Sequence, residues 1–351
     1  MILAADIGGT KSLFAFLEVQ EDKWGIILEK KYSSKDFSSL EELLQLFLTE
    51  TFNSQEILPI KSACFSLAGP IQEGTCKLVN LNWTVKLENI KKVLPTVPKV
   101  ELCNDLAAVA HGISLLAAKD FLCLTPELHS QIDHAKSMNS LLNKAVIAPG
   151  TGLGESMILA GQVHPSEGAH CDFAPQTEKE VRLWRFLHKN YGHVSYERLL
   201  SGPGLKNIYD FLLEDTIHPA EKANSLPHQT PPDLKPEDIS NKALKNSCPL
   251  CRRALDIFVR VLGAEAGNLA LKTLPLGGVY LGGGIPPQIL PALQSATFLE
   301  SFRAKGRFAK FMEQIPVYVI LNAKTALYGA ALLAARKLSP ESQGHQSNYS
   351  T

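Results

Sequence analysis

The sequence has no net charge, no apolar run of membrane length and no regular cysteine framework, and each absence excludes a class of function. Lys plus Arg and Asp plus Glu both number 35, so no long-range field attracts a phosphate backbone or an anionic lipid surface. Nucleic acid and membrane are therefore not expected partners. No apolar stretch approaches the roughly 18 to 20 residues of a membrane span, and the opening MILAADIGGTK lacks the basic start, long apolar core and cleavage site of a secretory signal. The expected location is the cytoplasm. The seven cysteines are odd in number and follow no spacing pattern, so they read as thiols. Cys248 and Cys251 make a C-x-x-C with no second ligand pair, which predicts a helix start carrying two thiols rather than a zinc site.

What is present suffices for a large globular protein. At about 150 residues per domain, 351 residues correspond to roughly two domains, and 45% hydrophobic residues can bury a sizeable core. Ile2 to Ile7 is an apolar run that stops at Gly8-Gly9-Thr10, and Leu13 to Val19 is apolar again, predicting strand, tight turn, strand. Lys144 to Ala148, the turn Pro149 to Gly154 and Met157 to Ala160 repeat that order, which predicts two similar halves. Strands are also expected at Ser62 to Leu67, at Val97 to Cys103 and at 277–281, the last ending in Gly282-Gly283-Gly284.

Helices are expected after a Ser-x-x-Glu capping box near Ser38, with Leu40, Leu43, Leu44, Phe47 and Leu48 on one face, and over 106–118, 177–190, 251–274 and 325–338. Residues 215–240 hold Pro219, Pro227, Pro231, Pro232 and Pro236 and predict a surface excursion, while 339–351 predict a frayed polar tail.

Three glycine turns close apolar strands, and glycine lets backbone N–H groups approach an anion that side chains would hold away. Singly each reads as a turn; combined with the hydroxyls of Thr10 and Thr151 they suggest a nucleotide cradle. Thr10 separates Lys11 from Gly9, so Walker A fails, and GTGLG runs on into a strand instead of a helix, so the dinucleotide fingerprint fails too. Asp6 precedes the first turn, where its carboxylate could hold the hydration shell of a Mg²⁺ or bond the turn's own amides. Asp105 sits at a strand's carboxyl end, the side on which α/β sheets bind ligands, and doubles as a candidate helix N-cap. Glu167, His170 and Glu197 offer acceptors and an imidazole for a polyhydroxylated ligand. For Glu197 the plainer alternative is a helix-face ion pair with Arg198.

The ordered motifs DIGGTK, LAGPI, LNWTV, CNDLAAVA, APGTGLGES, EGAHCDFAP, HVSYERLLSGPGL, CRRAL and VYLGGGIPP closely resemble the bacterial glucokinase family, within the superfamily of actin-like ATPases and sugar kinases. The likeness runs from about residue 2 to 338. It implies an α/β, two-domain actin-like (ribonuclease H-like) sugar kinase fold with a cleft between domains: a small domain of 1–115 plus 323–338, and a large one of 116–322. It implies ATP and Mg²⁺ as cofactors. Asp6, Gly8, Gly9 and Thr10 match the first phosphate motif, Gly150, Thr151 and Gly152 the second, and Gly282, Gly283 and Gly284 the adenosine motif, with Asp6 reaching Mg²⁺ through water. Asn104, Asp105, Glu167, His170 and Glu197 match the glucose-binding positions, Asp105 being the catalytic base. The implied reaction moves the γ-phosphoryl group of ATP to the 6-hydroxyl of glucose, giving glucose 6-phosphate and ADP and feeding glycolysis.

Lys11 replaces an Asn common in the family, and Ala169 replaces the second Gly of its E-G-G-H pattern. Lys11 is similar to the related ROK sugar kinases, but His170 leads into CDFAPQTEKE without their cysteine-rich zinc loop. Two other readings stay open. One is a kinase for mannose, fructose or an N-acetylated hexose, and the other a non-catalytic sugar-sensing regulator. The regulators generally carry a DNA-binding segment ahead of the first phosphate motif, which here begins at Asp6. A homodimer is also left open.

Overall fold

A computed structural model describes residues 1–20, 23–52, 59–128, 141–215, 233–336 and 338. The chain divides into two compact units, one holding residues 1–117 and the chain from Lys324 onward, the other residues 118–323.

In the first unit the strands are β1 (Ile2–Ile7), β2 (Lys11–Gln20), β3 (Lys23–Ser33), β4 (Ser62–Leu67), β5 (Ile71–Gln72), β6 (Thr75–Leu78), β7 (Trp83–Lys86) and β8 (Val100–Asn104). Among the described residues they form a five-stranded sheet in the order β3-β2-β1-β4-β8 and a small sheet β5-β6-β7. β1 runs antiparallel to β2 and parallel to β4, and β4 is parallel to β8. The central β1 is apolar on both faces because both are covered. Leu3, Ala5 and Ile7, with Phe14, Phe16 and Phe65, pack against Leu40, Leu43, Leu44 and Phe47 of helix α1 (Leu40–Phe52). Ile2 and Ala4, with Ala15, Leu17 and Cys64, pack against Ala326, Leu327, Ala330, Ala331 and Ala334 of the final helix, Thr325–Arg336. The period of two that divides these sets puts Asp6 on the final-helix face.

Helix α1 begins with a variant of the expected box. Ser39 Oγ accepts from the Glu42 amide at 3.2 Å, but the Glu42 carboxylate accepts from both the amide and the hydroxyl of Ser38, at 2.8 and 2.7 Å. Two shorter helices follow, α2 (Leu87–Val93) and α3 (Asp105–Gly112). The helix expected over 106–118 thus ends early, and the chain tightens into a 3₁₀ turn at Ile113–Leu115.

The second unit contains β9 (Phe121–Cys123), β10 (Lys144–Pro149), β11 (Leu153–Leu159), β12 (Gln162–Ser166), β13 (Val279–Leu281) and β14 (Val317–Ile320), in the order β12-β11-β10-β13-β14-β9. Its helices include α4 (Glu178–Tyr191), α5 (Gly202–Asp215), α6 (Pro236–Leu244), α7 (Pro249–Thr273) and α8 (Ala296–Arg303). Ala145 and Ile147 of β10 share one core with Leu205, Ile208 and Leu212 of α5 and Leu255, Phe258 and Leu262 of α7. β10 and β11 repeat the antiparallel pairing of β1 and β2.

Helix α7 opens as the C-x-x-C suggested. Cys248 is its N-cap, the sulfur accepting from the Cys251 amide at 3.2 Å, with Pro249 in the first turn. All seven cysteines are thiols. At the C-terminal end of the excursion expected over 215–240, Pro236 instead starts α6, whose Ile239 and Ala243 are buried. Residues 216–232 and the tail 339–351 lie outside the described residues. No helix among the described residues is long and apolar enough to cross a membrane.

Candidate active site

The first unit assembles its polar groups at one end of the sheet. Ile7, Leu67 and Asn104 are paired across the parallel strands, so the Gly8-Gly9-Thr10 turn, Gly69 and Asn104-Asp105 all follow strands ending in one row. The first turn is closed by the Gly8 amide donating to the Lys11 carbonyl at 3.0 Å. Ser34 fastens it from outside: its hydroxyl donates to the Gly8 carbonyl at 2.7 Å, lies 2.9 Å from the Ser12 hydroxyl, and its amide donates to Thr10 O at 3.1 Å.

Asp6 does not bond the amides of this turn. The Ser66 hydroxyl, its neighbour on β4, donates to Oδ1 at 3.1 Å. Burial raises the Asp6 carboxyl to about 6, and the Ser66 bond opposes that rise only in part.

At the end of β8 the cap belongs to Asn104, not Asp105. Asn104 Oδ1 accepts from the amides of Leu106 and Ala107 at 2.9 and 3.1 Å, and Nδ2 donates to the Gly69 carbonyl at 3.2 Å. Asp105 is thereby the first helical residue of α3, and its Oδ1 also accepts from the Leu106 amide at 2.9 Å. The positive end of the helix dipole favours an ionised carboxylate there. The charge of Asp105 is also felt at Cys76, whose thiol is pushed up to about 11, first by burial and then by that carboxylate.

In the second unit the two glycine turns lie side by side because β10 and β13 are parallel neighbours. The Gly282 amide donates to Ile147 O at 2.9 Å and the Ile285 amide to Pro149 O at 3.2 Å. Gly283 has φ +79, and a Cβ there would strike the Pro149 carbonyl. The Gly150 turn is closed by its amide donating to Gly152 O at 2.8 Å, and the Gly202 amide at the start of α5 donates to Gly150 O, also at 2.8 Å. Thr151 is exposed between these glycines.

Glu197 lies in a 3₁₀ turn, Tyr196–Arg198, so the helix-face pairing with Arg198 does not form. Its Oε2 instead accepts from the Leu153 amide at 3.0 Å, joining the turn to the start of β11. The Arg198 guanidinium stands over the Tyr191 ring, 4.2 Å from its centroid. Glu167 precedes and His170 ends a second 3₁₀ turn, Gly168–His170, with His170 Nε2 3.9 Å from Glu167 Oε2 and both side chains more than half exposed. The two turns are joined where the Tyr196 amide donates to Cys171 O at 3.1 Å. Within each unit, then, the residues singled out in the sequence come together: Asp6 to Thr10 with Asn104 and Asp105, and Gly150 to Gly152, Gly282 to Gly284 and Glu197, with Glu167 and His170 on the adjoining turn.

Three supporting residues carried no signal strong enough to single them out. Ser34 and Ser66 act through hydroxyls, on partners 26 and 60 positions away. Glu155, inside the GTGLGES motif, is buried beneath Gly168; a charged residue following a glycine turn in an apolar strand was the available signal.

Comparison with known proteins adds an independent line. The Glucokinase family profile matches residues 3–337. A glucokinase of Synechocystis sp. is 37% identical over 356 aligned positions, covering 95% of this chain and 98% of its own length. The crystal structure of a glucokinase from an Antarctic psychrotroph has TM-score 0.77 at 30% identity, covering 95% of this chain and 98% of that one. A ROK family glucokinase from Streptomyces griseus, solved with glucose and AMPPNP, has the same fold at TM-score 0.62 and 19% identity, covering 95% of this chain and 99% of its own.

Proposed function

The chain belongs to the glucokinase family and is an enzyme of glucokinase activity, and from that premise we propose that Asp105 is its catalytic base. Asp105 accepts the proton of the glucose 6-hydroxyl as that oxygen attacks the γ-phosphorus of ATP in line, giving glucose 6-phosphate and ADP. Asn104, Glu167, His170 and Glu197 bind sugar hydroxyls, each of which needs a partner once water is displaced. The amides of Gly8 to Thr10 and Gly150 to Gly152 meet the phosphates, and Gly282 to Gly284 accommodate the adenosine. Phosphoryl transfer asks for little covalent chemistry from the protein, so positioning and electrostatics supply most of the acceleration.

Asp6 fits a hydrated Mg²⁺. It is a single carboxylate, and no cluster of His, Cys, Asp or Glu suited to a dehydrated ion occurs among the described residues, which suits a cation that keeps several waters and takes phosphate oxygens as ligands. When bound, Mg²⁺ neutralises charge on the phosphates.

The observation that carries the reading is the seating of Asp105 at the first position of α3, where Asn104 has already taken the cap. The carboxylate is then held at the strand's carboxyl end with the helix dipole behind it. A coupled ADP-release assay over a panel of hexoses and phosphoryl donors tests it. Turnover with glucose and MgATP is expected; a preference for mannose, fructose or an N-acetylated hexose would reassign the sugar, and silence across the panel would overturn the reading.

A further inference from the structure

Beneath the turn Gly168–His170 lies a polar network that the reaction does not require. Glu155 on β11 and Glu265 on α7 are each only 1% exposed. The two carboxyl groups are close enough for the charge of Glu265 to act on Glu155. Oε1 of both is buried with no hydrogen-bond partner. Two ionised carboxylates cannot satisfy one another, since both only accept; one proton between them supplies the missing donor.

The surroundings favour that single proton. From α7 come Lys272 and Asn268, from the segment after α8 comes Lys305, from the Tyr196–Arg198 turn comes the Tyr196 hydroxyl, and from β12 comes Ser166, the cross-strand partner of Glu155. Asn268 Nδ2 donates to Glu265 Oε2 at 2.9 Å and to Tyr196 Oη at 3.0 Å, and Lys305 Nζ donates to Asn268 Oδ1 at 2.7 Å and to Ala264 O at 2.8 Å. Both lysines act on the pair as nearby charges, not as hydrogen-bond donors to it. Glu265 therefore has a donor of its own, Asn268, while Glu155 has none beyond the pair. Burial, then the charge of Glu265, push the Glu155 carboxyl up to about 8, with Lys272 opposing.

The pair touches both sugar-binding turns. Glu155 Oε2 occupies the space a Cβ on Gly168 would need, so the backbone of that turn rests on the carboxyl group. Tyr196, which begins the turn holding Glu197, is linked to Glu265 through Asn268, whose Nδ2 donates to both side chains. Glu167 and His170 stand exposed on the outer side of the first turn.

We propose that Glu155 is a positioning residue for sugar binding: as the protonated half of a carboxyl pair with Glu265, it fixes the Gly168–His170 and Tyr196–Arg198 turns on one buried network. Loss of the shared proton sets two buried carboxylates against each other directly under the Gly168 backbone and loosens both turns. The inference rests on the assignment of Glu167, His170 and Glu197 to the sugar.

The test is a profile of KM and kcat for glucose from about pH 6 to about pH 9, on the native enzyme, Glu155→Gln, Glu265→Gln and His170→Ala. Native KM is expected to rise at least threefold toward the alkaline end with kcat following a separate profile. Glu155→Gln keeps a donor toward Glu265 but cannot ionise, so its KM is expected to stay flat. Glu265→Gln serves the same purpose should the first variant fold poorly. An alkaline rise that persists in a folded Glu→Gln variant, or a flat native profile, overturns the proposal. His170→Ala separates the two claims: if it leaves KM unchanged, the sugar assignment has failed, whereas a raised KM there with an unaltered pH profile in Glu155→Gln fails the positioning role alone. Hydrogen exchange of the 168–171 and 195–198 amides without sugar gives a further reading, and faster alkaline opening is expected only while the pair can ionise.

Discussion

Gly112 of α3 and Gly329 of the final helix press backbone to backbone. A Cβ on Gly329 would run into the Ala108 carbonyl oxygen, and one on Gly112 into that of Thr325. Helices so close cannot separate without lifting Ala108, Ala326, Ala330 and Ala331 from the face of β1 and β4. The contact therefore holds α3, and with it Asp105 at its first position, through the part of the chain farthest away in sequence.

Gly112→Ala and Gly329→Ala are expected to destabilise the protein by at least the roughly 1 to 3 kcal/mol of an overpacked core, because the obstruction is backbone and has no rotamer to yield. Denaturant midpoints of each variant against the native chain measure this. A midpoint unchanged for both would show that the helices pack farther apart.

Asp105→Asn is expected to lower kcat by about 10² to 10⁴, the range for loss of a positioned base, while KM for glucose changes far less. The amide can still accept at Oδ1, so the fold should be retained. Near-normal turnover would remove Asp105 from the role of base.

His170→Ala and Glu197→Gln are expected to raise KM for glucose with smaller effects on kcat, since groups that bind hydroxyls act on ground and transition states alike. Glu197→Gln carries an added consequence, because Oε2 holds the Leu153 amide at the start of β11. A Gln that turns its oxygen to Leu153 has only a donor left for the sugar. Steady-state kinetics with glucose as the varied substrate decide both cases, and an unmoved KM would displace either residue from the sugar.

The raised Asp6 carboxyl makes stability depend on pH in a definite direction. Its folded pKa, about 6, lies above the ordinary 3.8, so the folded state holds the proton more firmly than the unfolded chain. The contribution is fully present below the ordinary value and is lost as pH rises through about 6. Asp6→Asn, which does not ionise, should gain on the native protein by up to about 3 kcal/mol between pH 4 and 7, since each tenfold gain in proton affinity on folding is worth about 1.4 kcal/mol. Parallel melting curves across that range measure it, and a constant difference would mean the carboxyl is not buried.

Parts of this arrangement were legible in the sequence because they rest on local chemistry. The strand-turn-strand units at Ile2 to Val19 and Lys144 to Ala160, the thiol-bearing start of the long helix and the oily face of α1 follow from periodicity, glycine and capping residues within a few positions. What escaped depends on partners distant along the chain. Asn104 and Asp105 are equally good caps on paper, and Gly69 decides between them by accepting from Asn104 alone. Glu197 next to Arg198 in a helix-like pattern suggested an ion pair, but the 3₁₀ turn points the two side chains apart, one to Leu153 and one to Tyr191. Glu155 sits on a strand covered on both faces, where alternation gives no warning that a carboxyl group is enclosed.

The capping bonds of Asn104 also decide what that residue can say to a ligand. Its carbonyl oxygen already receives two amides, and one hydrogen of its amide nitrogen is given to Gly69. One N–H is left over. Any molecule bound beside Asn104 meets a donor there and no acceptor, so the group presented to it must offer a lone pair. The side chain that starts the helix can thus meet a ligand in one polarity only, whereas an Asp in its place would set a carboxylate oxygen against the Gly69 carbonyl and leave no donor at all.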